Sequence, residues 1–307
     1  MRRGVIEFES RGQFAGHETF PLRLLWLKKA FDAVGNAASS GTFQEQSAIA
    51  RFGVGRNMAV SMRYWALATG FFEENERVIS PTPLGRSILS DDGFDPFVEE
   101  AATVWLAHWN VASTPLMTTT IYYAFNVLSA IEFDPGTIVD ELLALVAERG
   151  WRATRGTLKR DVEVFLRSYV RRDDGQNEDA AEPLLAELGL VREARLGGWY
   201  EFVRGPKPSL SDNVFAYALG QFWEAQGGST ALTAEQACYA PGSPGRVFKL
   251  DEDSVVTRLM NIDKVTQGAW QWTDTAGLRQ VQRLADFDLH SLIEGAYAAA
   301  VMKAKAA

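Results

Sequence analysis

Apolar residues recur mostly three and four positions apart, a period that predicts a mainly helical chain interrupted by short hairpins. The first 12 residues carry no clear period and are expected to form an arm. Residues 21–34 (PLRLLWLKKAFDAV) read as an amphipathic helix, with Leu24, Leu25, Leu27 and Phe31 on its apolar face and Lys28 and Lys29 outward. Pro21 suits a first turn, where a missing amide donor costs nothing. Further on, 44–52 (QEQSAIARF), the turn Gly53-Val54-Gly55 and 56–69 (RNMAVSMRYWALAT) give a short helix, a tight turn and a longer helix. Gly70-Phe71-Phe72-Glu73 closes the longer helix, 76–83 (ERVISPTP) reads as a hairpin strand, and Leu84-Gly85-Arg86 begins a new helix. Helix, turn, helix and hairpin in this order is the pattern of a winged helix; a plain helical hairpin beside two strands is the alternative.

Residues 91–100 are acidic and read as a loop, and 103–130 form the most aromatic stretch, expected as two buried helices separated near 113–115. From 137 to 205 a second unit follows the first in order: a helix at 138–149 ending at Gly150, a helix at 157–170 capped by Thr157, then 183–191 (PLLAELGLV) and a hairpin around Gly197-Gly198. Helices at 213–225, 233–239 and 251–261, strands within 265–273 (VTQGAWQWT), and a helix start at 274–279 echo the same order more weakly. The expected architecture is mainly α with short β-hairpins, as tandem winged-helix-like units around a helical core. Its boundaries are 1–95 (N-terminal winged-helix-like domain), 96–136 (aromatic helical core), 137–210 (second winged-helix-like domain) and 211–307 (C-terminal helical or winged-helix-like domain).

Composition narrows the function. At 307 residues, 47% of them hydrophobic and 23% charged, the chain suits two or three packed globular units. A single cysteine, Cys238, excludes an intrachain disulfide and a multi-cysteine metal cluster and is expected to be an inert core thiol. No signal-peptide pattern and no apolar run of membrane-spanning length stands out, so the expected location is cytoplasmic, with no membrane partner. The net charge of −8 argues against coating DNA through overall charge, but groove binding needs only a local basic face.

Such faces are present. Arg51, Arg56 and Arg63 occur on and before the 56–69 helix without an intervening acid, and Arg56 and Asn57 open it, where side chains and amides reach phosphates or base edges. Solvated helix-end charge is the alternative. Between 152 and 172 seven basic residues, among them Arg155, Lys159 and Arg160, face two acidic ones. This island serves either phosphate contacts or pairing with the acidic run at 173–187. In the Pro/Gly loop 239–250, Arg246 and Lys249 are candidates for a backbone clamp. Candidate catalytic chemistry is thinner: His17-Glu18 pairs an imidazole with a carboxylate before the first helix, as an acid/base or metal-binding pair or as a capping turn. His108, Tyr122 and Tyr123 lie in apolar runs and are expected in the core. No spaced zinc ligands, phosphate-binding glycine loop or nucleophile elbow is present, so the residues alone support DNA binding and leave catalysis open.

Six segments carry a resemblance: FAGHETFPLRLLWLKKA (14–30), FGVGRNMAVSMRYW (52–65), TTTIYYAFN (118–126), TLKRDVEVFLRSYV (157–170), RGPKPSL (204–210) and YAPGSPGRVFKLDEDS (239–254). Together they are similar to a bacterial domain-of-unknown-function family whose members sit beside phosphorothioate DNA-modification genes in phage-defence islands. The resemblance implies a DNA-nicking component working with a cysteine desulfurase, an ATP-pyrophosphatase-like enzyme and an ATPase. A non-catalytic DNA-binding adaptor or regulator of the same system is the alternative. Nicking implies a divalent cation, Mg²⁺ or Mn²⁺, for which the sequence displays no ligand set; the resemblance assigns no catalytic residue.

Overall fold

In a computed structural model of the chain, the described residues are 12–44, 46–171, 183–195, 197–227, 229–275 and 277–306. The expected N-terminal arm, apart from residue 12, and most of the loop after 171, including Arg172, lie outside them. The protein is mainly helical, with three small antiparallel sheets of three strands each.

The first region comprises α1 (Trp26–Val34), β1 (Ala38–Ser39), a 3₁₀ turn (Ser40–Phe43), α2 (Gln46–Phe52), α3 (Arg56–Ala68), β2 (Phe72–Asn75), β3 (Val78–Pro81) and α4 (Pro83–Leu89). β3 lies between β1 and β2, with Ala38 opposite Ile79 and Phe72 opposite Pro81. α4 starts where Thr82 accepts the Gly85 amide and Pro83 takes the first turn. A Cβ at Gly85 would lie 1.9 Å from the Phe71 carbonyl oxygen, so glycine is what lets α4 back onto the start of the hairpin.

α5 (Ala101–Ser113) is buried almost all round and packs against α6 (Thr119–Asn126). The second region continues through β4 (Glu132–Phe133), α7 (Pro135–Arg149), α8 (Arg155–Tyr169), a 3₁₀ turn (Leu184–Leu188), β5 (Val191–Arg195) and β6 (Trp199–Phe202), in the sheet order β4-β6-β5. The third runs through α9 (Asp212–Ala225), β7 (Ala231–Thr233), α10 (Ala234–Tyr239), α11 (Pro244–Val247), α12 (Glu252–Met260), α13 (Ile262–Val265), β8 (Trp270–Thr275), β9 (Leu278–Arg283) and α14 (Leu289–Ala306). Its sheet order is β7-β9-β8. In each region the strand before the helices pairs with the last strand of the hairpin.

Several local expectations change. α1 begins at Trp26 because Arg23 is drawn into a bridge with Pro183, and Leu25, expected on the apolar face, is half exposed. Lys28 points inward, where its ammonium meets Asp91 at 2.6 Å and Asp32 at 3.0 Å. Thr154 caps α8 in place of Thr157, accepting the Thr157 amide at 3.1 Å. Residues 274–275 and 278–279 pair across β8 and β9 and start no helix; the closing helix is α14. Cys238, Tyr122 and Tyr123 are buried, and no described helix is long and apolar enough to cross a membrane.

Candidate nucleic-acid interface

Two helix starts present cations to solvent. At α3, Gly55 provides no side-chain cap, so the first amides are left for an outside acceptor, and Arg56 and Asn57 are exposed beside them. Arg51, at the end of α2, is exposed, with one long contact of 3.5 Å to the Ala33 carbonyl. Arg63 departs from the expectation: half-buried, it forms an ion pair with Glu74 of β2, so its charge is already met inside the fold. At α8, Lys159 and Arg160 are exposed and have no ion pair or hydrogen bond among the described residues. Arg155 is exposed and pairs with Asp140 at 2.6 Å, a contact of little energetic weight in solvent. Arg167 turns back to the Thr19 carbonyl. Residues 172–182, most of the acidic run weighed as the partner of this island, lie outside the described residues.

The 239–250 segment is a different environment from the loop expected. Ser243 caps the short α11, and Pro244, Gly245, Val247 and Phe248 are packed into the core. Lys249 is wholly buried; its ammonium donates to the Phe125 carbonyl at 2.5 Å and lies 3.9 Å from the Phe202 ring centre. An amine so enclosed cannot reach a DNA backbone, and Lys249 drops out as a phosphate contact. Arg246 is half-exposed, with Nε donating to the Tyr239 carbonyl at 3.0 Å.

His17 is nearly buried and is paired with Asp161 of α8, at 3.0 Å, and not with Glu18. The Thr19 amide donates to Nδ1 at 3.2 Å, so the neutral ring carries its proton on Nε2 and donates it to Asp161 Oδ1. Asp161 also accepts the Ala15 amide at 2.8 Å and the Thr120 hydroxyl at 3.3 Å. The imidazole lies edge-on to Tyr64 of α3 and stacks over Trp65, whose indole N–H donates to the Phe20 carbonyl at 2.9 Å. A Cβ at Gly16 would lie 2.5 Å from the Tyr64 ring. The 13–20 segment therefore clasps α3 to α8. Glu18 is exposed, in left-handed backbone with φ 47°, and takes no part in the clasp.

Asp161 is the functional-looking residue the sequence reading passed over. Its signal was visible: an acid on the same stripe as Leu158, Val162, Phe165 and Tyr169, the buried face of α8. His108 is a core histidine, donating through Nε2 to the Val247 carbonyl at 2.9 Å and accepting the Tyr169 hydroxyl at Nδ1 at 2.8 Å. Burial lowers its pKa to about 3. No group of three His, Cys, Asp or Glu side chains converges as a cation site among the described residues. The described side chains thus supply exposed cations and a rigid clasp, and no preassembled metal cage.

Two solved structures are similar to the chain: an SspB crystal structure, with a TM-score of 0.82, and a magnesium ion-bound SspB crystal structure, with 0.81. Each is 26% identical and covers 93% of this chain and 88% of its own. No curated protein matches the sequence. A family model described as protein of unknown function (DUF4007) matches residues 14–297. Matched over most of its length, the chain belongs to the DUF4007 family.

Proposed function

We propose that this protein is the DNA-binding component of a bacterial phosphorothioate DNA-modification and phage-defence system, and that it nicks DNA there alongside the sulfur-modification enzymes. The recurring order of helix, strand, helices (two in the first two regions, four in the third) and hairpin is read as three winged-helix-like units. The observation that carries the reading is a pair of exposed basic segments, Arg56-Asn57 at the start of α3 and Lys159-Arg160 in the second turn of α8, in a protein of net charge −8. Among the described residues Arg56, Lys159 and Arg160 stand without carboxylate partners although acids outnumber bases overall, which fits a local face for phosphates. Arg51 and Arg155 flank the two starts and extend them. The similarity to SspB supports placement beside a cysteine desulfurase, an ATP-pyrophosphatase-like enzyme and an ATPase.

Magnesium is present in one SspB structure, and we extend the requirement for a divalent cation, Mg²⁺ or Mn²⁺, to this chain as part of the proposal. Since the described residues form no three-ligand cage, the cation is expected to enter with DNA; Mg²⁺ commonly combines one or two carboxylates with substrate phosphates. His17 sits too deep to touch a scissile phosphate and serves to hold α3 and α8 in register.

The same observation about metal ligands favours a second reading, a DNA-binding adaptor or regulator that brings the modification enzymes to their substrate without cutting. A plasmid-relaxation assay with nuclease-free protein separates the two. Supercoiled plasmid converted to open circle only with Mg²⁺ or Mn²⁺ supports nicking, and intact plasmid with a salt-dependent DNA shift supports the adaptor. No shift even at low salt would refute both.

A further inference from the structure

Three histidines occur in the chain, and two of them are shut away: His17 against Asp161, and His108 between Tyr169 and the Val247 carbonyl. His290, in the first turn of α14, is half-buried and borders two cavities, of about 450 and about 800 Å³, where α4 meets α14. Its Nε2 lies 3.2 Å from the Ser87 hydroxyl of α4, and Nδ1 has no partner among the described residues. The pair joins the first region to the third across 203 residues of chain.

Both partners are held from behind. The Phe94 amide donates to the Ser87 carbonyl at 2.9 Å, and the Phe94 ring stacks on Tyr297 of α14 with centres 5.2 Å apart. The Tyr297 hydroxyl meets that of Thr103 on α5 at 2.7 Å. At the start of α14 the His290 amide donates to Asp288 at 2.9 Å, and a Cβ at Gly220 of α9 would lie 2.4 Å from the Leu289 side chain. An imidazole fixed between packed helices is preorganised for proton transfer.

The larger cavity also carries charge. Arg86, exposed on its wall, donates to the Asn36 side chain at 3.0 Å and to the Pro81 carbonyl at 3.3 Å, both uncharged, and has no ion pair among the described residues. Of the two acids on the wall, Asp91 is paired with Lys28 at 2.6 Å, and Asp92 is exposed without an ion pair among the described residues. One free cation and one free acid leave this wall near neutral in a protein of net charge −8, so a phosphate is not turned away.

We propose that His290 is the general base of strand cleavage, with Ser87 as its positioning residue, in the cleft between α4 and α14. With Nε2 donating to the Ser87 oxygen, the Nδ1 lone pair takes a proton from a water whose oxygen attacks the phosphorus of a DNA phosphodiester. The bond from phosphorus to one deoxyribose oxygen breaks, that oxygen takes a proton from solvent, and His290 returns its proton to solvent. Arg86 steadies the charge on the phosphate. The inference rests on the nicking reading above and supplies that reading with its base.

The test uses the full chain with supercoiled plasmid and Mg²⁺ or Mn²⁺, and measures nicking rate and duplex affinity side by side. The variants are His290→Ala, His290→Gln, Ser87→Ala and Ser87→Thr. Thermal melting monitored by circular dichroism confirms that each is folded, and His290→Gln stands in if His290→Ala is not. Nicking lowered about a hundredfold at parental duplex affinity, with partial recovery of His290→Ala in added imidazole, supports the base. A parental rate that falls as the pH is lowered, with that limb gone in the His290 variants, supports it independently. Ser87→Ala should lose less, and Ser87→Thr should recover the rate, which a merely structural role would not require. Parental nicking by a folded His290 variant overturns the inference and leaves the nicking reading standing. Rate and affinity lost together assign His290 to binding and overturn it as a base. A parent protein that shifts duplex without nicking plasmid defeats the inference and the nicking reading alike, and leaves the adaptor.

Discussion

The helix after the turn begins with cations in the first two regions and with acids in the third. α3 opens with Arg56-Asn57 and α8 carries Arg155, Lys159 and Arg160 in its first two turns, whereas α12 opens with Glu252-Asp253 behind its Asp251 cap. The sheets have the same strand order in all three, so the difference lies in surface charge and not in scaffold. Acids at a helix N-terminus stabilise the helix's own exposed amides, while a glycine start leaves those amides to a ligand. A fold set by buried apolar positions can therefore carry a cationic helix start in one region and a self-satisfied helix in another. The first two regions are also bound to each other through His17, which bonds to α8 and packs on α3.

Breaking that clasp gives the largest expected effect. Asp161→Ala strands the His17 ring and the Ala15 amide in a buried site, and a loss of about 3 kcal/mol is expected in urea denaturation. Glu18→Ala, outside the clasp, is expected to change stability by less than about 0.5 kcal/mol. Next comes charge: combined reversal of Arg56, Lys159 and Arg160 to glutamate should weaken duplex binding about a hundredfold in a fluorescence-anisotropy titration at low salt. Asp253→Lys on α12 should shift it less than about threefold.

Acid sensitivity is the next effect down, and its sign follows from His108. Its folded pKa is about 3, below the ordinary 6.5, so between those values the unfolded chain binds a proton that the folded one does not. Stability is full above pH 6.5 and falls with decreasing pH by up to about 1.4 kcal/mol per unit, and His108→Gln should flatten that slope in denaturation at stepped pH. Arg63→Ala should have a small effect, under about 1 kcal/mol on folding and little on DNA binding, because its charge is met by Glu74.

Helix α7 was legible in the sequence because its buried residues recur at helical spacing, and α5 and α9 were legible as long apolar runs. The start of α1 was not, since the Arg23–Pro183 bridge that displaces it spans 160 residues of chain. Charge was legible as a count but not as a location. Arg63 and Lys249 are drawn inward by Glu74 and the Phe125 carbonyl, partners that local pattern cannot supply. The His17 turn stood out, but its acid lay 144 residues away on α8 while the adjacent Glu18 faced solvent. Only the position of Asp161 on an apolar stripe hinted at it.

The central claim is that α3 and α8, and not α12, meet DNA. Its most direct test is the salt dependence of duplex affinity for the parent protein, the Lys159→Ala/Arg160→Ala variant and the Asp253→Ala variant. The account predicts a steep loss of affinity with salt in the parent, a slope reduced by about two in the α8 variant, and the parental slope in the α12 variant. A parent protein with no salt dependence, or an α8 variant indistinguishable from it, would contradict the account.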